Sequence, residues 1–381
     1  SAVVDIVSYG ADPPTYDAIV VTRTCEPVRV SLGNAKELDA LVENWTEVLA
    51  YRDEHSGGSP QSRVDERGRR VTDALWRPLA PLLDGADHLI VVPDGALASM
   101  PWGALPIDGD KYLIEERLIT YLAASTDLLR APTEPGSGLF AVGGLDFGEA
   151  AAPDSGLLAM RGAGCNDGLW AALPGTAAEV GDISDRYRRY AKSEPLRLTG
   201  QDATEAAVNQ QMGGHRYVHF ATHGFFATGA CTSYTEGSDH PMVMSGLVLS
   251  SANEPPEGAQ FWDGILTAEE VGTLDLRGTE LVVLSGCETG LGSQHPGEGV
   301  QGLRRAFALA GAQSTIMSLW SVTDEGTAQL MDALYQKMWR RRRALAPAQA
   351  LRAAQLDILA LSRSQGDARP GDWSGFILSG T

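Results

Sequence analysis

Short aliphatic runs alternate with helical patterns through the second half of this chain, and this alternation restricts the folds that it can adopt. Strand-like runs begin near residues 139, 196, 217, 281 and 314. Between two of them, apolar residues recur at helical spacing at Leu303, Ala306, Phe307 and Ala310. Strands that alternate with amphipathic helices form a parallel sheet covered on both faces. The sequence therefore predicts an α/β fold with a largely parallel central sheet flanked by helices on both faces.

The chain is long enough for two domains. Its 381 residues exceed the usual size of a single compact core. The first part combines strand-like runs with two helical stretches, near residues 34–53 and 63–83. A loop rich in Pro and Gly follows at 131–138, and such loops are typical of domain boundaries. We predict an N-terminal accessory lobe over residues 1–135 and the main domain over residues 136–381.

The charge balance argues against several classes of partner. Thirty Lys and Arg residues against forty-nine Asp and Glu give a formal charge of −19, which repels nucleic acid and anionic lipid. A basic run, Lys337–Arg343, falls near the end of a predicted helix, where cations interact favourably with the negative end of the helix dipole. The alternative is that this run is a docking patch. No apolar run approaches the roughly 18 residues of a membrane span. We expect neither a nucleic-acid nor a membrane partner.

The cysteines and the N-terminus bear on location. The four cysteines, Cys25, Cys165, Cys231 and Cys287, lie far apart without a CxxC pair. This pattern favours a reducing compartment over a disulfide framework or a zinc site, so we predict a cytoplasmic protein. The start lacks both a signal-peptide pattern and an initiator Met, which leads us to expect a piece of a longer protein.

Two predicted strands end in groups able to do chemistry. The run YVHFATHG leads to His223, and LVVLSGC leads to Cys287. Parallel strands deliver their carboxyl-end residues to one edge of a sheet, and a thiol needs a nearby base to become a nucleophile. The order, with His about sixty residues before Cys, is that of caspase-type peptidases rather than papain-type ones. These two residues are the candidate base and nucleophile.

Glycines beside the pair strengthen this interpretation. Acyl transfer needs two N–H donors for the developing oxyanion. Gly224 follows the histidine, so its N–H and that of Cys287 are the candidate donors. Gly286 allows the backbone freedom that a sharp nucleophile turn requires.

Longer blocks around these residues resemble the CHAT family of bacterial caspase-like proteases, which are related to caspases and separase and are often joined to TPR repeats. The blocks are ATHGFF, LVVLSGCETGLG, GEGVQGLRRAFALAGAQSTIMSLWSVTDE, WSGFILSG, VVPDGALASMPWGAL, LPGTAAEV and DGILTAEEV. One departure is ARPGDWSGF, which replaces the usual His-Pro-aromatic lead into Trp. The resemblance implies a caspase-like fold, His223 as general base and Cys287 as nucleophile. It also implies that 136–381 is the catalytic domain. For the accessory lobe we expect an inactive, caspase-like lobe that extends the sheet or packs against it.

The resemblance further implies a function and a set of partners. We expect a cysteine endopeptidase that makes restricted cuts in a protein substrate, in bacterial defence or regulated cell death. An upstream helical-repeat domain or another partner module would control it. We expect no cofactor and no metal ion. The alternative from another class is a non-proteolytic interaction scaffold that keeps the fold.

Substrate preference is the finest prediction from the resemblance. Position 285 is Ser, where metacaspases carry an acid, and Asp324 corresponds to the acid of a separase-like segment that reads Arg. We assign Asp324, Ser285 and Trp320 to the substrate-binding pocket, with Asp324 selecting Arg or Lys. The alternative is that Thr323 or Asp324 caps a helix.

Other patterns near the pair have less specific interpretations. The segment from Gly297 to Gly302 fits GxGxxG, but a dinucleotide fingerprint follows its strand directly and this one does not. His219 and His223 lie four apart on one strand without further ligands for zinc, so we expect His219 to be buried and hydrogen-bonded. Polar segments at 226–243 and 251–264 are predicted loops near the site. The three other cysteines are taken as structural or incidental.

Overall fold

A computed structural model describes residues 1–10, 12–23, 26–50, 61–131, 133–149, 170–226, 242–255, 262–286, 298–320, 322, 324–366 and 369–380. The strands in these ranges are β1 (Ala2–Tyr9), β2 (Thr15–Thr22), β3 (Val28–Asn34), β4 (His88–Val92), β5 (Pro106–Asp108), β6 (Lys111–Tyr112), β7 (Leu118–Tyr121), β8 (Leu139–Leu145), β9 (Leu196–Gly200), β10 (Tyr217–Ala221), β11 (Gly224–Phe226), β12 (Ser245–Val248), β13 (Ile265–Thr267), β14 (Leu281–Leu284), β15 (Ser314–Ser318) and β16 (Phe376–Gly380). The α-helices of four or more residues are α1 (Ala35–Ala50), α2 (Gln61–Val71), α3 (Leu113–Glu116), α4 (Pro174–Ala191), α5 (Glu205–Gln211), α6 (Ala268–Thr273), α7 (Glu298–Ala310), α8 (Asp324–Met338) and α9 (Pro347–Ser364).

The first of two compact units combines residues 1–130 with the segment from Leu345 onward. Its strands follow the order β3-β2-β1-β4-β7-β16. Strands β1, β2 and β3 pair antiparallel, whereas β1–β4, β4–β7 and β7–β16 are parallel. The interior strand β4 reads HLIVV and is buried over Leu89–Val92, as the continuous aliphatic run predicts.

The second unit contains the described residues of 131–286 and 298–344. Five of its strands form a parallel arrangement in the order β15-β14-β10-β8-β9. Its most interior strands, such as β14 with the sequence LVVL, are buried at every position, because an aliphatic run can face helices on both sides. A separate antiparallel sheet, β11-β12-β13, follows the end of β10.

The helices begin and end where local chemistry allows. Pro174 and Pro347 open α4 and α9 in the first turn, where the missing N–H of proline costs nothing. Helix α6 begins with a capping box, in which Thr267 and Glu270 satisfy each other's backbone N–H groups. None of the helices in the described ranges is long and apolar enough to cross a membrane.

The predicted α/β class with a largely parallel sheet and flanking helices is confirmed. The compact units depart from the predicted domains in one respect. The boundary near residue 135 lies close to the change of unit after Arg130, but the C-terminal segment assigned to the catalytic domain lies in the first unit. The physical reason is that β16 pairs with β7. The functional division of the chain stays a prediction.

Candidate active site

His223 stands at the carboxyl end of an interior strand. β10 ends at Ala221, and it pairs in parallel with both β8 and β14, so its end opens onto the edge where functional residues of such sheets gather. The chain then turns directly into β11 at Gly224. This turn leaves the imidazole of His223 half-buried, in contrast to the fully buried strand that leads to it.

The turn is fixed by strand β12. The carbonyl of His223 accepts a hydrogen bond from Val248 N–H at 2.9 Å, and Thr222 Oγ1 donates to the Val248 carbonyl at 2.5 Å. His223 and Val248 therefore form a hydrogen-bonded pair of the antiparallel ladder, and the next pair, Gly224 and Leu247, is the non-bonded kind. It follows that Gly224 N–H points away from β12, as a donor to a ligand requires.

The imidazole of His223 has a defined protonation pattern in its neutral form. Its Nε2 lies 2.8 Å from the carbonyl oxygen of Ala171. A carbonyl oxygen only accepts, so Nε2 carries the proton and donates, and Nδ1 holds the free lone pair. Among the described residues Nδ1 has no hydrogen-bond partner. In this neutral form, Nδ1 carries the lone pair that can accept a proton.

Two aromatic rings flank this imidazole. The ring of Phe147, which follows β8, lies 5.3 Å from the imidazole centroid, and the indole of Trp170 lies 5.4 Å from it. Trp170 also contacts Phe225 at 5.9 Å. Both flanking rings sit at tilted angles, which is a favoured arrangement for aromatic pairs. They restrict the imidazole to one orientation and exclude water from part of its surface.

The chain segment that leads to Cys287 lies close to the segment that leads to His223. Ser285 N–H donates to the Phe220 carbonyl at 2.9 Å, which continues the parallel register of β10 and β14. At Gly286, a Cβ atom would lie 1.6 Å from the carbonyl oxygen of Thr222, so no side chain fits there. Cys287 itself, like the three other cysteines, lies outside the described residues.

The residues predicted for the substrate pocket lie in different places. Ser285 is buried, and its Oγ is 3.4 Å from His219 Nε2 and 3.3 Å from the Phe220 carbonyl, so it faces the interior rather than a substrate. Trp320 is also buried, at 2% exposure. Asp324 is the first residue of α8. The structure does not bring Ser285 to the surface on which His223 opens.

The second histidine of β10 belongs to a buried polar network. His219 is fully buried; its Nε2 contacts Glu179 Oε1 at 2.9 Å and its Nδ1 contacts the Tyr335 hydroxyl at 3.0 Å. Burial, together with the charge of Glu179, raises the pKa of Tyr335 well above its ordinary value, so this hydroxyl stays protonated. The predicted buried, hydrogen-bonded His219 is confirmed.

Sequence reasoning missed several residues of this region. Glu179 lies within the block LPGTAAEV that carried the resemblance, but nothing in the block identified its partner. Trp170, Ala171 and Asn253 carry no motif signal, because their roles depend on loops that meet only in the folded chain. Within the described ranges, no group of three or more His, Cys, Asp or Glu side chains is arranged to hold a metal ion. β14 ends at Leu284 and α7 begins at Glu298, so the GxGxxG segment does not follow its strand directly.

A sequence profile of the CHAT domain matches residues 65–381. The chain belongs to the CHAT domain family. The match includes all of the second unit and begins within α2, inside the region predicted as an accessory lobe. Family membership supports a cysteine peptidase.

The CHAT domain also aligns with named proteins. Tetratricopeptide repeat protein 28 of Mus musculus is 28% identical over 234 residues, covering 56% of this chain and 9% of the mouse protein. The Homo sapiens protein of the same name is 27% identical over 230 residues, with coverage of 56% and 9%. The chain therefore spans less than a tenth of the length of these relatives.

Two solved structures align with the CHAT domain at a distance. The Arg-specific cysteine proteinase gingipain R aligns with a TM-score of 0.45 and 10% identity, over 91% of this chain and 74% of that chain. The Saccharomyces cerevisiae separase–securin complex aligns with a TM-score of 0.41 and 11% identity, over 77% of this chain and 15% of that chain.

Proposed function

We propose that this CHAT domain is a cysteine endopeptidase in which His223 and Cys287 form the catalytic pair. The observation that carries the proposal is the contact of Gly286 with the Thr222 carbonyl, because each of these residues directly precedes one member of the pair. The register between β10 and β14 supports the proposal. Phe220 lies opposite Leu284, and each precedes its member of the catalytic pair by three residues. Nδ1 of His223, which has no hydrogen-bond partner in the part of the chain that the structure describes, supplies the base that a thiol needs.

In the proposed reaction, His223 Nδ1 takes the proton of the Cys287 thiol, and the thiolate attacks the carbonyl carbon of the scissile peptide bond. The N–H groups of Gly224 and Cys287 donate to the oxyanion. When the tetrahedral intermediate collapses, the C–N bond breaks and the imidazolium returns its proton to the leaving amine. Water, deprotonated by His223, then hydrolyses the thioester and restores the thiol. Throughout, the Ala171 carbonyl accepts from Nε2–H and stabilises the imidazolium.

The test uses the chemistry of the thiol itself and needs no known substrate. A chain with Cys25, Cys165 and Cys231 changed to Ser keeps Cys287 as its one thiol. We expect the rate of Cys287 alkylation by iodoacetamide to rise at a pH well below the ordinary thiol pKa of about 8.5. In His223→Ala, the pH profile of this rate should move back toward that value. His215→Asn, at the other end of β10, is the matched control and should leave the profile unchanged. An ordinary thiol profile in the parent chain would contradict the proposal and favour the interaction scaffold.

Within this proposal, Asp324 selects Arg or Lys before the cleaved bond. It begins α8 soon after β15, and a carboxylate pairs strongly with a guanidinium group. Fluorogenic peptides that differ only in Arg, Lys, Leu or Asp at that position test the selection, with Asp324→Asn as the variant. Equal turnover of all four peptides, or an unchanged preference in the variant, contradicts it. If Thr323 or Asp324 instead caps the helix, the substitution should lower the stability of the chain and leave the substrate preference unchanged.

We extend the proposal to partners and setting on the resemblance and the relatives. The substrate is a specific protein, and a helical-repeat domain or another partner module controls its cleavage; the TPR-named relatives support that association. The setting is cytoplasmic, in bacterial defence or regulated cell death. Co-expression of the chain with candidate partner proteins, beside a Cys287→Ala control, tests this part. Cleavage that persists in the control excludes Cys287 as the nucleophile.

A further inference from the structure

Asn253 lies in the connection between β12 and β13 and is buried, at 4% exposure. Its backbone N–H donates to the Phe147 carbonyl at 2.8 Å. No motif in the sequence singles this residue out. Its burial is unusual for an amide side chain, which is retained in an interior only when its polar atoms find partners.

The side chain of Asn253 makes three hydrogen bonds to two backbone segments. Oδ1 accepts from Trp170 N–H at 2.8 Å, and Nδ2 donates to the Trp170 carbonyl at 3.0 Å and to the Gly148 carbonyl at 3.2 Å. Both donors and one acceptor site of the amide are therefore in use. The amide holds the segment at 170 and the turn after β8 in fixed positions.

Both of these segments contact His223. Phe147 precedes Gly148 and carries one flanking ring; Trp170 carries the other. Ala171 directly follows Trp170, and its carbonyl accepts from His223 Nε2 at 2.8 Å. Because both backbone polar groups of Trp170 are bound to Asn253, the direction of the next carbonyl depends on this amide.

We propose that Asn253 is a positioning residue for His223, acting through the Ala171 carbonyl and the rings of Phe147 and Trp170. It keeps the acceptor in line with Nε2–H, so that Nδ1 remains the basic nitrogen and the ring keeps one orientation. The catalytic meaning of this role rests on the proposed function, but the positioning itself is a property of the fold. Asn253→Ala removes all three side-chain bonds, and Asn253→Asp removes both donors and sets an anionic oxygen against two carbonyl oxygens.

Gln355 offers a matched control. It is a buried amide, at 6% exposure, whose Nε2 donates to the carbonyls of Trp373 and Phe376 at 3.0 Å and 2.9 Å. It thus holds two backbone carbonyls as Asn253 does, but it belongs to the other compact unit, and these bonds go to no residue assigned to the site. Gln355→Ala should cost comparable stability without touching the contacts of His223.

The experiment measures solvent exchange of the His223 Nε2 proton by NMR on ¹⁵N-histidine-labelled chain with Cys287→Ala. His223→Gln assigns the signal among the seven histidines. We expect exchange to accelerate by about fivefold or more in Asn253→Ala and Asn253→Asp, the factor for losing one net hydrogen bond, and to stay unchanged in Gln355→Ala. Unchanged exchange in the Asn253 variants, or equal acceleration in Gln355→Ala, overturns the proposal. If Asn253→Ala does not fold, Asn253→Ser retains one donor and should show an intermediate rate.

This readout needs no peptidase turnover, so it separates the two proposals. If Cys287 alkylation does not depend on His223 while exchange responds to Asn253, the proposed function fails and the positioning role stands. If alkylation depends on His223 but the exchange rate does not change in the Asn253 variants, the proposed function stands and the positioning role fails. When both hold, Asn253→Ala should also shift the alkylation profile in the direction of His223→Ala.

Discussion

The interior of strand β10 and its carboxyl end each carry a histidine, and the two have opposite surroundings. His219 is fully buried, and both of its ring nitrogens are bound, one to Glu179 and one to Tyr335. His223, four residues on, is half-buried, and only its Nε2 is bound within the described residues, to a backbone carbonyl. One residue type thus has two different environments, one within β10 and one in the turn that follows it.

The difference shows how partners decide the role of a histidine. The Glu179 carboxylate only accepts, so in the neutral ring of His219 Nε2 carries the proton, Nδ1 accepts from the Tyr335 hydroxyl, and no lone pair remains for a ligand. His223 keeps a lone pair at Nδ1 at the edge of the sheet where ligands bind. The comparison predicts that loss of His219 affects stability and loss of His223 affects chemistry.

The largest expected effect concerns His223. His223→Ala should lower peptidase turnover by about 10²–10⁴-fold, the usual contribution of a general base. The free energy of unfolding should change by less than about 0.5–1 kcal/mol, because the ring is half-buried and makes one hydrogen bond. Turnover of the best peptide of the specificity panel and urea unfolding measure the two quantities. A variant that loses stability but keeps activity would reverse the comparison.

The next effect concerns the buried network. His219→Ala leaves the Glu179 carboxylate and the Tyr335 hydroxyl without this partner, and each unsatisfied buried group costs about 1–3 kcal/mol. We expect urea unfolding to show a loss of about 2–6 kcal/mol. Tyr335→Phe, which removes one bond and keeps the ring, is the milder control and should cost about 1 kcal/mol. A neutral His219→Ala would show that the network is not a source of stability.

A smaller effect tests the contact that joins the two strand ends. Gly286→Ala places a Cβ against the Thr222 carbonyl oxygen, so the strands must separate, at a cost of about 1–3 kcal/mol. Gly181→Ala in α4 is the matched control, because a Cβ there meets nothing within 4 Å and alanine favours a helix. Thermal unfolding should therefore move in opposite directions in the two variants. Equal shifts would mean that Gly286 is not at a close approach.

The fold class and the first candidate site residues could be predicted from the sequence, whereas the contacts between distant residues could not. β14 coincides with the aliphatic run LVVL, and α9 begins at Pro347, as predicted. Both predictions succeeded because burial on both faces of a strand and the chemistry of proline are local signals. The predicted helix near 63–83 is instead interrupted by a π-helical turn at Thr72–Trp76 before the prolines.

Long-range contacts left no such signal. Ser285 was predicted in the pocket from the resemblance, as the position where metacaspases carry an acid, but strand alternation directs it to His219 in the interior. Asn253 and Ala171 were missed because their partners lie about eighty and fifty residues away in the chain. The placement of β16 beside β7 likewise depends on which strand edge is open, and periodicity does not encode that.

The last effect, which is small per pH unit, separates two acids of the second unit whose side chains are largely buried. Glu179 has His219 as its partner, whereas Glu205, at 2% exposure, has Glu270 and Asp263 as charged neighbours. Burial first, and then these two carboxylates, raises the pKa of Glu205 from 4.5 to about 8. The unfolded chain releases this proton near pH 4.5 and the folded chain near pH 8, so stability falls as the pH rises between them, by at most about 1.4 kcal/mol per pH unit. Urea unfolding between pH 5 and pH 8 should show this slope in the parent chain and in Tyr335→Phe, and Glu205→Gln should reduce it. An unchanged slope in Glu205→Gln would assign the pH dependence to other groups and contradict the raised pKa of Glu205.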